Sequence, residues 1–127
     1  EGLCNLSYIG EISEEEKVML IQASYVNILL SHMEALGLAQ LEFMYEGIPI
    51  ITSAVGGQRW LVRNSLDGIH VDGPDDLKGA AAAIKTLIND SQLHDRLGAN
   101  AKGRASEFTL SNLVSGLTSR VVSLITT

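Results

Sequence analysis

The sequence predicts an α/β fold, in which a parallel sheet is covered by helices on both faces. Four short apolar runs alternate along the chain with stretches of helical periodicity. Each run is almost continuously apolar, as expected of strands buried on both faces of a parallel sheet, whereas an antiparallel sheet with one solvated face would alternate more clearly. The predicted strands cover residues 6–9, 26–30, 48–52 and 69–71.

The first predicted helix follows a capping box. Ser13 is followed three residues later by Glu16, a spacing in which each side chain accepts a hydrogen bond from a free backbone N–H of the other residue. This helix should run from residue 14 to about residue 23. A second helix is predicted from about residue 36 to Gly47, with one buried face formed by Leu38, Leu41 and Tyr45.

Helical patterns continue after the third run. Gly56 and Gly57 form a turn, and Asp75 or Asp76 caps an alanine-rich helix that reaches about residue 89. The other helical stretches are predicted at residues 58–63, 92–107 and 111–125. The last helix carries an apolar stripe, formed by Leu113, Val114, Leu117, Val121, Leu124 and Ile125. This stripe packs either on the sheet of this domain or on something outside the chain.

The 127 residues suit one domain with a single core. Every apolar run is far shorter than the roughly 20 residues needed to cross a bilayer, and the single cysteine, Cys4, cannot form an internal disulfide. We therefore expect a cytoplasmic location, with a longer parent protein peripheral to a membrane as the alternative. The chain opens at Glu1 and is predicted to enter a strand almost at once. This favours the interpretation that residues 1–127 form a truncated domain.

The net charge of −6 argues against a nucleic-acid partner, because it repels phosphate backbones and the nine Lys and Arg residues are scattered. A small anionic ligand is compatible with this charge, because helix N-termini bind phosphate through backbone N–H groups. Ligands of open α/β sheets bind beyond the carboxyl ends of the strands. The loops expected there cover residues 10–13, 31–36, 53–58 and 72–75.

The most informative stretch, residues 31–49, follows the second predicted strand. A short turn carries one carboxylate, Glu34, and the first turn of the next helix contains Gly37. The helix N-terminus is an anion site, and glycine lets a phosphate approach the backbone. Glu42 would lie about 12 Å from Glu34 if the spacing were fully helical. Two carboxylates at that separation could bind hydroxyl groups at opposite ends of a nucleotide sugar, one on the sugar and one on the ribose.

This stretch resembles the Glu-x7-Glu motif of retaining glycosyltransferases with the two-domain GT-B architecture, those of family 4 in particular. The matching residues are Ser31, Glu34, Gly37, Leu41, Glu42, Met44, Gly47 and Pro49. The resemblance extends to Tyr8-Ile9-Gly10, Val55-Gly56-Gly57, Asp67-Gly68 and Phe108, and so covers residues 8–108. It implies that the chain is part of a Rossmann-like, C-terminal domain that binds a nucleotide sugar.

Carried over residue by residue, the resemblance implies a role for each part of the site. Glu34 would be catalytic, binding hydroxyls of the transferred sugar and stabilising an oxocarbenium-like transition state. Glu42 would hydrogen-bond the ribose. The diphosphate would be held by backbone amides of Leu36, Gly37, Leu38 and Ala39. The base would lie against the loop of Gly10, Glu11 and Ile12.

The implied donor is a UDP-, GDP- or ADP-sugar, and the implied enzyme needs neither a cofactor nor a metal. Its acceptor, a sugar or a lipid-linked compound, would be held by an N-terminal domain. The Arg and Lys with which the family neutralises the diphosphate lie upstream of Glu1, so we expect the chain alone to be inactive. Leu30 and Leu36 stand where the family has proline and phenylalanine.

Other roles are open for several of these residues. Without the resemblance, the sequence favours a solvent-exposed carboxylate in a loop for Glu34 and a helix-surface position for Glu42. The pair Gly56-Gly57 is either a permissive turn or a ligand contact, and His32 is either a loop residue or a sugar contact. His70 and His94 do not have the spacing of metal ligands.

Three functions of the parent protein come into consideration. Both glutamates favour a retaining glycosyltransferase, a hexosyltransferase, over a non-catalytic scaffold or regulatory module, which has no reason to keep them. A flavodoxin-like receiver domain is disfavoured, because its acidic phospho-acceptor cluster has no counterpart after the first strand. We also expect this chain to self-associate through the exposed edge of its sheet.

Overall fold

The computed structural model describes residues 5–125, except for the side chains of residues 113, 117, 120, 121 and 124. This part of the chain contains three parallel strands and six helices. The elements are α1 (Glu14–Gln22), β1 (Asn27–Leu29), α2 (Leu38–Tyr45), β2 (Ile50–Thr52), α3 (Gln58–Leu61), β3 (Gly68–His70), α4 (Leu77–Asn89), α5 (Ser91–Ala105) and α6 (Leu110–Ile125). The sheet order is β1-β2-β3, and both outer strands run parallel to β2. None of the helices within residues 5–125 is long and apolar enough to span a membrane.

The central strand β2 separates two layers of core residues. Ile50 and Ile51 are both fully buried, and successive residues of a strand point to opposite faces of the sheet. Ile50 packs in one cluster with Met44 of α2, whereas Ile51 packs in another with Leu87 of α4. Helices therefore cover both faces of a parallel sheet, which confirms the fold class predicted from the apolar runs.

The strand predicted over residues 6–9 is wrong. Leu6, Tyr8 and Ile9 are 78%, 97% and 56% exposed, and residues 6–10 have no regular secondary structure. An apolar run forms a strand only where a neighbouring strand supplies hydrogen bonds. Within the described residues β1 pairs with β2 alone, so the sheet has three strands instead of four.

The predicted capping box is confirmed. Ser13 N donates to Glu16 Oε2 at 2.9 Å, and Glu16 N donates to Ser13 Oγ at 3.2 Å. The bond from the Ser13 backbone, with a smaller contribution from its side chain, lowers the pKa of Glu16. Asp76, one of the two predicted caps of the alanine-rich helix, accepts from Gly79 N at 2.8 Å at the start of α4. Both helices therefore begin where their local sequence predicts.

The predicted buried face of α2 is confirmed for Leu41, which packs against the core, and is wrong for Leu38 and Tyr45. Leu38 and Tyr45 are 68% and 40% exposed, whereas Gln40 and Met44 are fully buried. The helix begins at Leu38 instead of near residue 36, after Gly37 in a left-handed conformation with φ +90°. The face that meets the core consequently includes a glutamine, which a search for apolar periodicity does not find.

The apolar stripe predicted on the last helix is described only in part. The helix itself is confirmed as α6. Val114 and Ile125 are exposed, so they do not pack on the sheet of this chain. The side chains of the other stripe residues lie outside the described residues; these are Leu113, Leu117, Val121 and Leu124.

The turn after α2 packs against the backbone of α5. A Cβ at Gly98 of α5 would be 2.2 Å from Gly47 O, whereas a Cβ at Gly103 of the same helix would meet no atom within 4 Å. We expect Gly98→Ala to lower the free energy of unfolding by about 1–3 kcal/mol, because the backbone at Gly47 or at residue 98 must shift to make room for the Cβ. Gly103→Ala should raise it by up to about 1 kcal/mol through helix propensity. Urea denaturation measures both, and equal stabilities would contradict the packing.

The exposed edge of the sheet leads to a second prediction. β1 is an edge strand of the described sheet, and its Ile28 is exposed. Free strand edges and apolar surface promote pairing between chains, so we expect this chain to form dimers as its concentration rises. Light scattering should detect them, and Ile28→Lys should shift the equilibrium towards monomer. A strict monomer at high concentration would rule out this association.

Candidate functional site

The loops that follow the three strands meet at one edge of the sheet. Gly57 N, after β2, donates to Glu34 O, after β1, at 3.1 Å. His32 Nε2, also after β1, lies 3.8 Å from Asp75 Oδ1 in the loop after β3. The carboxyl ends of the parallel strands thus bring together the loops predicted at residues 31–36, 53–58 and 72–75.

Gly56 and Gly57, in the loop after β2, let the loop after β1 lie directly against them. A Cβ at residue 56 would be 2.1 Å from Glu34 O, and a Cβ at residue 57 would be 1.9 Å from Ala35 O. Side-chain atoms do not approach a carbonyl oxygen this closely, so any side chain here would push the Glu34 loop away. The glycine pair therefore has a packing role that explains its residue type without a ligand.

A buried serine links the same two loops. The Ser53 hydroxyl accepts from Ser31 N at 3.0 Å and donates to Ser31 O at 2.8 Å. Gln58, fully buried at the start of α3, accepts from Val55 N at 3.3 Å through Oε1. These bonds hold loop backbone that lies outside regular secondary structure. Neither Ser53 nor Gln58 is predicted from the sequence, because a polar residue carries no local signal that it is buried.

The helix α2 begins directly after the Glu34 loop. Its N-cap, Gly37, adopts a backbone conformation that L side chains rarely take, and it supplies no side-chain cap. The first N–H groups of a helix have no partner within the helix, and Leu38 and Ala39 at this end are exposed. The helix end therefore offers backbone donors and a partial positive charge to an anion.

Gln40 is a second buried residue that the sequence does not predict. Its side chain lies beside Gly37, where a Cβ would be 2.7 Å from Gln40 Oε1. Neither polar atom of the Gln40 side chain has a hydrogen-bond partner in the described part of the chain, and the same holds for Gln58 Nε2. A buried, unpaired polar group costs about 1–3 kcal/mol. The interior under this helix end is therefore not optimised for stability.

The two glutamates occupy different kinds of structure. Glu34 is partly buried in the loop, where the bond from Gly57 fixes its backbone. Glu42 lies one turn inside α2, with its side chain 46% exposed, and accepts a hydrogen bond from Lys17 Nζ at 2.9 Å. Residues 34–37 are not helical, so the distance expected for a continuous helix does not apply. One carboxylate precedes the first turn of α2 and the other follows it.

The loop predicted to contact a base precedes the N-cap of α1. Gly10 and Glu11 are exposed and Ile12 is partly buried. The ion pair between Lys17 and Glu42 joins the first half of α1 to α2. The start of α1, with the loop before it, consequently lies on the side of α2 that carries Glu42. Leu36, the first of the predicted diphosphate contacts, packs its side chain against the core.

The histidines outside this edge take part in packing. His70 Nε2 lies 2.7 Å from Val62 O, and His94 Nε2 lies 2.9 Å from Tyr25 O. The rings of His94 and Tyr25 are stacked, with centroids 4.0 Å apart. Within residues 5–125, no group of three or more His, Cys, Asp or Glu side chains is placed to hold a metal ion. Cys4 lies outside the described residues.

Comparison with known proteins gives one family. A family model described as "Glycosyl transferases group 1" matches residues 2–104 of the chain. The glycogen synthase of Mycobacterium tuberculosis is 31% identical over 97 residues, which are 76% of this chain and 23% of that protein.

Solved structures agree with this match. Sucrose-phosphate synthase from Thermosynechococcus elongatus has a TM-score of 0.80 at 30% identity, over 94% of this chain and 30% of that chain. Anabaena HepE in complex with UDP-glucose has a TM-score of 0.73 at 25% identity, over 82% of this chain and 29% of that chain. The chain spans less than a third of the length of each of these proteins.

We expect Gly57→Ala to displace the Glu34 loop. Gly57 has φ −67°, which alanine adopts freely, so the effect of the added Cβ on Ala35 O is steric. NMR should show amide shift changes concentrated at residues 31–38 and faster hydrogen exchange at the backbone N–H of position 57. Gly103→Ala, where the Cβ meets no neighbour, is the control. Unchanged shifts at Glu34 and Ala35 would contradict the proposed packing role.

Proposed function

The chain belongs to the glycosyl transferases group 1 family, and on this premise we propose that it forms the donor-binding site of a retaining glycosyltransferase. Its three-stranded parallel sheet with helices on both sides matches the structures of GT-B glycosyltransferases. The observation that carries the proposal is the exposed N-terminal end of α2, preceded by Glu34 and followed by Glu42. The site would match the Glu-x7-Glu motif of family 4.

The proposed donor is a nucleoside-diphosphate sugar with UDP, GDP or ADP as the nucleotide. HepE, which resembles this chain in structure, is known in complex with UDP-glucose. The diphosphate of such a donor is the anion for which a helix end with free N–H groups is suited. The proposed diphosphate contacts are the backbone amides of Leu36, Gly37, Leu38 and Ala39. Gly37 itself is buried, and a Cβ at this position would face Gln40 and Gln58 in the interior, so the exposed residues among the four are Leu38 and Ala39.

The proposed roles of the other residues follow the order of the groups along the donor. The loop of Gly10, Glu11 and Ile12 would lie against the base. Glu42, on the side of α2 nearest to α1, would accept a hydrogen bond from the ribose. Glu34 would contact the sugar and stabilise positive charge in the transition state. Its backbone is held by Gly57, which favours the preorganised geometry that such stabilisation requires.

The proposed reaction moves the sugar from the diphosphate to an acceptor hydroxyl with retention of configuration at the anomeric carbon, and releases the nucleoside diphosphate. The acceptor, a sugar or a lipid-linked compound, would be held by an N-terminal domain, since this chain corresponds to 23% of the related glycogen synthase. Residues 1–127 would then be a truncated donor-binding domain that is inactive on its own.

Calorimetric titration of the full-length protein with UDP, GDP and ADP tests the binding site. We expect one nucleotide to bind, and Glu42→Ala to weaken its binding by about tenfold or more, because a hydrogen bond to a charged group contributes about 1.5–3 kcal/mol. Glu46→Ala is the matched control, since Glu46 lies one turn further along the chain and accepts from Gln22 instead. Glu34→Ala should leave this Kd nearly unchanged.

The same variants separate catalysis from binding. Release of nucleoside diphosphate from the sugar donor should fall by about 100-fold or more in Glu34→Ala, the range found when one transition-state contact is removed. Failure of the full-length protein to bind any of the three nucleotides would instead support the non-catalytic scaffold. Full turnover in Glu34→Ala would show that Glu34 is not a catalytic residue.

A further inference from the structure

Lys17 connects the first helix to the glutamate proposed to bind the ribose. Its Nζ lies 2.9 Å from Glu42 Oε1 and 2.7 Å from Glu14 Oε2. Glu14 is 84% exposed, whereas Glu42 is 46% exposed and Lys17 is 32% exposed. The contact to Glu42 joins residues that are far apart in sequence, so it depends on how α1 packs beside α2.

We propose that Lys17 is a positioning residue, which orients the Glu42 carboxylate towards the ribose hydroxyls of the donor and thereby favours ribonucleotides over deoxyribonucleotides. This inference rests on the proposed function. A glutamate side chain on the surface of a helix has several rotatable bonds, and the ammonium group restricts them. Two carboxylate oxygens offer about four acceptor sites, so the bond from Lys17 to Oε1 leaves capacity for the hydroxyls of a ribose.

The charges around Lys17 favour this role over a direct contact to the diphosphate. Its ammonium group is shared between the carboxylates of Glu14 and Glu42, and bonds to both raise the pKa of Lys17, with Glu14 contributing most. The three side chains together carry one negative charge. A group with a net negative charge does not attract a diphosphate. Its carboxylate oxygens still accept hydrogen bonds from the neutral hydroxyls of a ribose.

Titration of the full-length protein with UDP and 2′,3′-dideoxy-UDP tests the role, with the matching GDP and ADP pairs run in parallel. In Lys17→Met the Kd of the ribonucleotide should rise about fivefold, the upper range for an exposed ion pair. The Kd of the dideoxynucleotide should change less than twofold, because it lacks the hydroxyls that Glu42 would bind. With the sugar donor, KM should rise while kcat stays constant.

Three control variants separate positioning from a general effect on folding. Glu14→Gln removes the other carboxylate and should leave the ribonucleotide Kd within twofold. Lys17→Arg keeps a cation and should recover most of the affinity. Adding Lys17→Met to Glu42→Ala should weaken binding no further, because the lysine acts only through that carboxylate. If the role of Lys17 were merely structural, Lys17→Met would lower Tm and would weaken the binding of both nucleotides equally.

The outcomes distinguish this inference from the proposed function. If Glu42→Ala weakens ribonucleotide binding but Lys17→Met does not, or if Lys17→Met affects both nucleotides alike, the positioning role is overturned and the donor site stands. If Glu42→Ala has no effect on binding, the ribose contact itself is wrong and the positioning role falls with it.

Discussion

The close backbone contact between the loops after β1 and β2 is the constraint on which the site depends. Gly56 and Gly57 leave room for the carbonyl oxygens of Glu34 and Ala35, and a side chain at either glycine would overlap them. The contact sets the path by which the chain leaves β1 and enters α2. The position of the Glu34 carboxylate and the position of the helix end are therefore coupled, since one loop carries both.

An acidic chain can carry an anion site because the electrostatics that decide binding are local. The net charge is −6, but exposed charges are largely screened beyond about 8 Å at physiological ionic strength. The N–H groups of the first turn of α2 would touch the ligand directly. Lys17, the basic residue paired with Glu42, is already shared with Glu14. Within this chain, backbone amides, which carry no formal charge, are therefore the groups proposed to contact the diphosphate.

Much of the fold follows from short-range rules that a sequence displays directly. The capping box of Ser13 and Glu16 marks the start of α1, and Asp76 marks the start of α4. Three of the four nearly continuous apolar runs form the parallel strands, because both faces of the sheet are covered. The spacing of Glu34, Gly37 and Glu42 likewise indicates a helix start with a carboxylate on either side. These features depend on residues within about two helical turns of one another.

The sequence by itself determined the fold class, the order of the elements from α1 onwards and the stretch of chain proposed as the site. The tertiary structure alone decided which residues meet there. Residues 6–9 are mostly apolar but form no strand, because no strand of the described sheet pairs with them. Gln40 is buried although the predicted apolar face of the helix does not include it, and Lys17 of α1 reaches Glu42 of α2. Such contacts depend on how distant segments pack, and local periodicity carries no information about that packing.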